Sequence, residues 1–275
     1  MSRRLGTSEG EGEGEGGGGG ARVVLSLAGL LGSSLLLLPM IVLVAQVNWS
    51  TLATIWLASG AMTALWTSLW TASTALVIIL LFGTPIAWLL ARRSSPLWRT
   101  VEFLLLIPLL MPPLVIGLLL VFLYGPYGPI GAWLAHFNLS ATNTALAVLI
   151  AQIYEAAPYY IAAAQSTFAQ MDRSLERASL TLGRSPGYTF RRVALPLSLP
   201  GLIAAATVAF ARAIGAFGAV IVMAYYPHTL PVSIWVALQE EGLPAALPLA
   251  LLLTLVSLPL PLLAVLWRRW RHAAL

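Results

Sequence analysis

Long apolar stretches alternate with short polar segments along most of the chain. A helix needs about twenty residues to cross roughly 30 Å of hydrocarbon. Six stretches reach that length, near residues 23–45, 63–90, 100–124, 142–166, 200–223 and 244–267. The pattern therefore predicts an all-α integral membrane protein with six transmembrane helices. A polar segment at about 167–199, hereafter the inner loop, separates the fourth stretch from the fifth.

The first twenty residues contain alternating glutamate and glycine followed by five glycines. Because such a segment cannot bury apolar area, we expect a disordered tail over residues 1–20 and a single transmembrane domain over residues 21–275. A secretory signal needs a basic start that leads directly into a short apolar run. The acidic tract interrupts that arrangement, so we expect the first apolar stretch to be retained.

Composition and charge narrow the class further. Of all residues, 59% are hydrophobic and 9% are charged, and the mean hydropathy is +0.87. The net charge of +5 would suit a nucleic-acid-binding protein, but all fifteen basic residues are arginines, and nearly all lie at the ends of apolar stretches. Arginine beside a membrane-spanning helix marks the cytoplasmic side. We therefore interpret these charges as topology signals and expect no nucleic acid partner.

One orientation accounts for fourteen of the fifteen arginines. It places both termini and the inner loop in the cytoplasm. The outer loops, at about 46–62, 125–141 and 224–243, contain no arginine. The sequence thus predicts a multi-pass protein of the plasma or inner membrane with cytoplasmic termini.

Within the inner loop, the periodicity predicts two short helices joined by a turn. In the first helix an apolar stripe lies opposite a polar face; the stripe consists of Met171, Leu175, Ala178 and Leu182, and the face of Arg173, Glu176, Arg177 and Thr181. Asp172 suits the N-cap and Gly183 the C-terminal end. Ser185 and Pro186 are typical of the start of the second helix. Such an element either lies on anionic lipid or docks a protein.

The spacing of the inner loop resembles that of the cytoplasmic loop of ABC-importer permeases. Nine residues separate Gly183 from Val193, and Leu195-Pro196 follows, as in the family's EAA motif. The resemblance places Arg177, Ala178 and Ser179 at the EAA positions, with Glu176 one step before the position that is usually acidic. In that family the loop forms coupling helices that fit a cleft on the ATPase. The resemblance thus implies that the ATPase-docking residues are Glu176, Arg177, Ala178, Ser179 and Gly183.

Further segments are similar to the molybdate, tungstate and sulfate branch of that family, at residues 85–93, 107–117, 125–131 and 211–220. In the last of these, Ala216 replaces a frequent glutamate. Tyr225-Tyr226-Pro227, followed by Leu230-Pro231, looks closer to the tungstate type. The resemblance implies import of a tetrahedral oxyanion, most closely tungstate or molybdate, with sulfate or thiosulfate as the alternative. It also implies two copies of a cytoplasmic ATP-binding subunit, an extracytoplasmic oxyanion-binding protein and a homodimer of this chain with the pore on its axis.

Two charges fall within the predicted spans. Arg212 lies about halfway along the fifth span and Glu155 about midway along the fourth. A charge in hydrocarbon needs a partner or water, so both should face the bundle or a pore. They either form a structural ion pair, or Arg212 meets an oxyanion in the translocation path. Prolines at 112, 113 and 158 should kink the third and fourth spans.

Other chemistries find little support in the sequence. There is no Gly-rich phosphate loop with lysine, so the chain is expected to be no ATPase, and no enzyme, by itself. It has no cysteine and three scattered histidines, so no metal or cofactor is expected. An ion-coupled secondary transporter or channel without an ATPase is the alternative from another class. Such proteins usually carry several ionisable groups within their spans or a two-half repeat. A membrane scaffold is a third possibility, and it would not require the inner loop.

Overall fold

The computed structural model describes residues 17–263, and within them the chain is built of helices. In chain order these are α1 Gly17–Gln46, α2 Leu52–Leu57, α3 Ser59–Arg92, α4 Pro96–Leu110, α5 Pro113–Tyr124, α6 Pro129–Ala135, α7 Ala145–Gln170, α8 Arg173–Thr181, α9 Pro186–Thr189, a π-helical turn Phe190–Ala194, α10 Leu195–Ile214, α11 Gly218–Met223, α12 Leu230–Glu240 and α13 Leu243–Ser257.

The helices account for the predicted spans. Five helical segments of the described residues are long and apolar enough to cross a membrane, and the number rises to six if α4 and α5, bent by 113° at the break between them, are taken as one span. The predicted tail lies outside the described residues up to residue 16, and α1 begins inside its predicted range, at Gly17. The C-terminal arginines and the end of the predicted sixth span also lie outside the described residues.

The helix α1 and residues 48–263 form separate compact units. In α1 most side chains are exposed, including a run of leucines from Leu35 to Leu38. A helix that is apolar on all sides suits a lipid environment. The candidate functional residues all belong to the second unit.

The centre of the second unit is the packing of α3, α7 and α10. Small residues line these contacts and let the helix backbones approach closely, as is usual between helices in a membrane. At Gly201 a Cβ would lie 2.4 Å from Cγ2 of Thr167, so α10 approaches α7 too closely there for a side chain. The Tyr160 hydroxyl, in α7, is 2.6 Å from the Thr84 hydroxyl of α3. This bundle is the scaffold that carries the inner loop at one end.

The predicted break at Pro112-Pro113 is confirmed. Pro112 is the N-cap of α5 and Pro113 its first residue, so the missing backbone donors fall where a helix leaves donors unused anyway. In contrast, α7 runs as one helix through Pro158.

The second helix of the inner loop is not a separate element. It begins at Pro186, as predicted, but continues through the π-helical turn into α10, so that residues 186–214 form one apolar helix. In that turn Leu195 N–H donates to Phe190 O, five residues earlier. The wider turn accommodates the ring of Pro196, which cannot donate a backbone hydrogen bond. Movement of the loop therefore acts directly on the fifth span.

Candidate functional site

The helix α8 has defined ends. At its start, Oδ1 of Asp172 accepts from Ser174 N–H at 2.8 Å and Oδ2 from the Ser174 hydroxyl at 2.6 Å. These two bonds, the hydroxyl one first, lower the pKa of the Asp172 carboxyl below its usual value. At its end, Gly183 has φ +77°. Gly183 N–H donates to Leu180 O at 3.0 Å and Arg184 N–H to Ser179 O at 3.2 Å, which closes the helix with a Schellman motif.

One side of α8 points into the protein, whereas Arg173, Arg177 and Thr181 of the predicted polar face are exposed. Glu176 and Ser179 are buried, each with 8% of the residue exposed. Glu176 forms an ion pair with Arg92, at the end of α3, with 2.8 Å between Nε and Oε2. The Ser179 hydroxyl lies 2.8 Å from the Thr189 hydroxyl of α9. Two of the predicted docking residues are therefore held inside the chain by partners of their own.

Of the predicted apolar stripe, Leu175, Ala178 and Leu182 are exposed, whereas Met171 packs against the core of the bundle. Leu175 and Leu180 are each 45% exposed and Leu182 is 81% exposed. Ala178 and Arg177, at the first two EAA positions, are exposed on the same side. Beside them, the guanidinium of Arg184 lies 4.9 Å from the ring of Tyr188. Hereafter the exposed apolar surface of Leu175, Ala178 and Leu182 is called the outer face of α8.

On α8 and its C-cap, Glu176 and Ser179 are buried while Leu175 and Leu182 are exposed, which is unusual in a soluble protein. The inward orientation follows from Arg92 and Thr189, which offer partners for a carboxylate and a hydroxyl. Periodicity alone predicts the stripe, but which side of the helix faces the protein depends on those distant residues. The outer face is left for a lipid surface or for another protein.

The second candidate group lies where the fifth span is interrupted between Ile214 and Gly218. Glu155, in α7, is 5% exposed, and its Oε1 accepts from Ala219 N–H at 2.9 Å. It thereby satisfies a backbone donor in the first turn of α11. A Cβ on Gly218 would lie 2.5 Å from Cβ of Pro113, so the interruptions of the third and fifth spans lie against each other.

Of the two alternatives for Arg212, an ion pair with Glu155 or a place in the translocation path, the structure shows no salt bridge between the two side chains. Among residues 17–263 the salt bridge found is the one between Arg92 and Glu176. Glu155 accepts a hydrogen bond from the backbone of Ala219 instead. The guanidinium of Arg212 lies 4.5 Å from the ring of Tyr159, which is about one helical turn after Glu155. The ion-pair alternative considered side-chain charges only, whereas an interrupted helix also presents backbone donors.

Three residues that contact Glu176 or Arg212 were not predicted from the sequence. Arg92 was interpreted only as a topology signal and Trp88 only as part of a family segment, and Tyr159 was not singled out. Trp88 Nε1 donates to Oε1 of Glu176 at 3.3 Å, and its ring packs against Phe190 at 5.1 Å between centroids. A tryptophan and an arginine at i and i+4 at the end of a span gave a signal, since both can hold a carboxylate. Among the described residues, no group of three His, Cys, Asp or Glu side chains is placed to hold a metal ion.

The family model described as "Binding-protein-dependent transport system inner membrane component" matches residues 83–273. The chain belongs to this family. It is 40% identical to a "Probable molybdenum ABC transporter permease protein" of Haloferax volcanii, over 79% of each chain. It is 34% identical to the "Molybdate/tungstate transport system permease protein WtpB" of Thermococcus kodakarensis, over 74% of this chain and 75% of that one.

The fold agrees with that assignment. A chain from the crystal structure of a bacterial alginate ABC transporter, in complex with an alginate-pentasaccharide-bound periplasmic protein, superposes with a TM-score of 0.67 at 18% identity, covering 89% of this chain and 93% of that one. At that identity the likeness concerns the fold. Together with the family match it identifies the chain as a multi-pass permease subunit, a translocation component and not a catalytic one.

Proposed function

We propose that the chain is the permease subunit of an ATP-driven importer of a tetrahedral oxyanion, with molybdate or tungstate as its cargo. The observation that carries the coupling to ATP is the outer face of α8, an exposed apolar surface on a short helix between the fourth and fifth spans. The cargo is supported by the names of relatives with 40% and 34% identity to this chain, which are molybdenum and molybdate/tungstate permeases.

The proposed occupant of the outer face is a cytoplasmic ATP-binding subunit. Leu175 and Leu182 would enter an apolar cleft, and Arg177 and Arg184 at its rim suit a partner with acidic side chains there. Gly183 sets the turn that holds this face in shape. In this account Glu176 and Ser179 support the helix from behind. The arginines of the loop favour its cytoplasmic location, and the same rule places both termini inside.

Each chain presents one α8, so one chain docks one ATP-binding subunit. Closure of ATP-binding subunits upon each other needs two of them, and we propose a homodimer of this chain with a pore on its two-fold axis. An oxyanion-binding protein on the outer side would deliver the cargo. ATP-driven closure would move both α8 helices and change the spans between inward-open and outward-open arrangements.

Arg212 is proposed to line the translocation path. It is exposed in the single chain and forms no salt bridge with Glu155, although it lies within the predicted fifth span. A charge with no carboxylate partner needs water or an anion at membrane depth. We expect Arg212→Gln to lower the rate of oxyanion uptake and Arg212→Lys to preserve more of it. Because the two groups form no pair, Glu155→Gln should not restore uptake to Arg212→Gln.

Uptake in proteoliposomes tests the proposed function. The vesicles would contain the chain with its ATP-binding subunit enclosed inside and its binding protein added outside, and mass spectrometry would measure accumulated molybdate, tungstate and sulfate. The proposal predicts accumulation of molybdate and tungstate above sulfate, only with ATP and the binding protein. Accumulation that follows an ion gradient without ATP would establish a secondary transporter instead. ATP-dependent accumulation of sulfate alone would support an ATP-driven importer but contradict molybdate or tungstate as its cargo.

A further inference from the structure

One buried ion pair joins α8 to the second span. Arg92, the last residue of α3, donates from Nε to Oε2 of Glu176 at 2.8 Å and from Nη2 to Oε1 at 2.9 Å. Each side chain is 11% exposed. Two parallel bonds between a guanidinium and a carboxylate fix the relative orientation of the two groups as well as their distance. Hereafter Arg92 and Glu176 are called the clasp.

The clasp also includes the fourth span. The remaining terminal nitrogen of Arg92, Nη1, donates to the carbonyl of Phe168 in α7 at 2.8 Å. Glu176 accepts a further bond from the Trp88 indole of α3 at 3.3 Å. One arginine side chain on α3 thus connects α3, α7 and α8, and its donors are matched by acceptors on the two other elements.

The backbone of α8 packs chiefly against α9 and the π-helical turn, which belong to the fifth-span helix. There the connection is reinforced by the hydroxyls of Ser179 and Thr189. It reaches α3 through long side chains, namely the clasp and Arg173, whose Nη2 donates to Ala91 O at 2.9 Å. Without the clasp, the bond from Arg173 would be left to link α8 to α3, and a movement of α8 would act mainly on the fifth span.

We propose that the clasp transmits movement of α8 to the second and fourth spans, so that Glu176 and Arg92 are positioning residues for transport and not contacts of the ATPase. This inference rests on the proposed function. A displaced α8 carries the carboxylate with it, and the bidentate pair obliges the end of α3 and the carbonyl of Phe168 to follow. The second and fourth spans then move together with the fifth span.

The first test is the number of oxyanions transported for each ATP hydrolysed. Glu176→Gln keeps the shape of the side chain and removes the charge that holds Arg92. We expect the transport yield per ATP to fall about tenfold, within the usual range of coupling between sites, while ATP hydrolysis and copurification of the ATP-binding subunit persist. Arg92→Lys keeps the charge but cannot hold the carboxylate and the Phe168 carbonyl together, and it should behave similarly. Glu240→Gln, an exposed carboxylate in α12, is the matched control and should leave the yield unchanged.

The second test is spectroscopic and separates transmission from mere stability. The chain has no cysteine, so single spin labels can be placed at Leu182 in α8 or at exposed Met62 near the start of α3. In the proposed homodimer each label reports the distance between the two copies. Nucleotide should change both distances in the wild type. In Glu176→Gln it should still change the Leu182 distance and no longer change the Met62 distance.

The outcomes can be told apart. If Glu176→Gln reduces only the amount of assembled complex, while the yield per ATP and both distance changes equal those of the wild type, the clasp is structural and the inference is overturned. If Glu176→Gln does not assemble, Arg92→Lys decides by the same two criteria. A wild-type complex without ATP-dependent uptake contradicts the proposed function itself, whatever the variants do.

Discussion

Gly183 offers the sharpest test of the loop geometry. Its φ of +77° lies in the left-handed region, and a Cβ added there would meet no atom within 4 Å. A substitution at this position therefore introduces backbone strain without a steric clash. The cost for an ordinary L-residue is about 1–2 kcal/mol. This corresponds to a factor of roughly 5–30 in the population of the folded turn.

We expect Gly183→Ala to weaken binding of the ATP-binding subunit to the purified chain in lipid nanodiscs by up to that factor, because the Schellman motif then closes less often. Gly183→Asn should weaken it less, since asparagine tolerates the left-handed region. Gly187→Ala is the matched control, because Gly187 also has open space around it but no positive φ. Equal affinity of the wild type and Gly183→Ala, or weaker binding by Gly183→Asn than by Gly183→Ala, would refute the reasoning.

Three further predictions concern packing and the cap. Gly201→Ala should destabilise the chain by about 1–3 kcal/mol through overpacking against Thr167, as measured by thermal unfolding in detergent. Adding Thr167→Ala to this variant should restore part of the lost stability. A double variant no more stable than Gly201→Ala would show that the two residues are not in contact. Gln152 is fully buried and its amide forms no hydrogen bond with the described residues, so Gln152→Met should be neutral or stabilising; a clear loss of stability would point to a hidden partner. The lowered pKa of Asp172 means that its capping contribution is present above the pKa of the unfolded chain and is lost as the pH falls through the folded value. Protection of the Ser174 amide from hydrogen exchange should therefore decrease on acidification in the wild type and not in Asp172→Asn, and equal pH dependence would refute it.

Much of the fold follows from the sequence because its determinants are local. Span positions follow from the length of apolar runs, and the break at Pro112-Pro113 from the loss of two backbone donors. The ends of α8 follow from Asp172 and Gly183, since a cap and a left-handed turn involve residues only a few positions apart. In each case the residues that determine the feature lie close together in the sequence.

The remainder depends on contacts between distant segments. Glu176 and Arg92 are 84 residues apart, and nothing in the period of α8 indicates which of its faces meets the bundle. Glu155 binds a backbone amide that becomes available only because the fifth span is interrupted after Ile214. The second loop helix joins α10 because a π-helical turn accommodates Pro196. These features require the packed arrangement and are not encoded in a local pattern.

The proposed function requires an outer face of α8 that lies in the cytoplasm and binds an ATP-binding subunit. Leu182→Cys places a single thiol on that face in a chain without cysteine. Labelling with a membrane-impermeant maleimide can be compared in inverted and right-side-out membrane vesicles, with and without the ATP-binding subunit. The account predicts labelling in inverted vesicles only, and protection when the subunit is bound. Labelling in right-side-out vesicles only, or labelling that the bound subunit does not reduce, would contradict it.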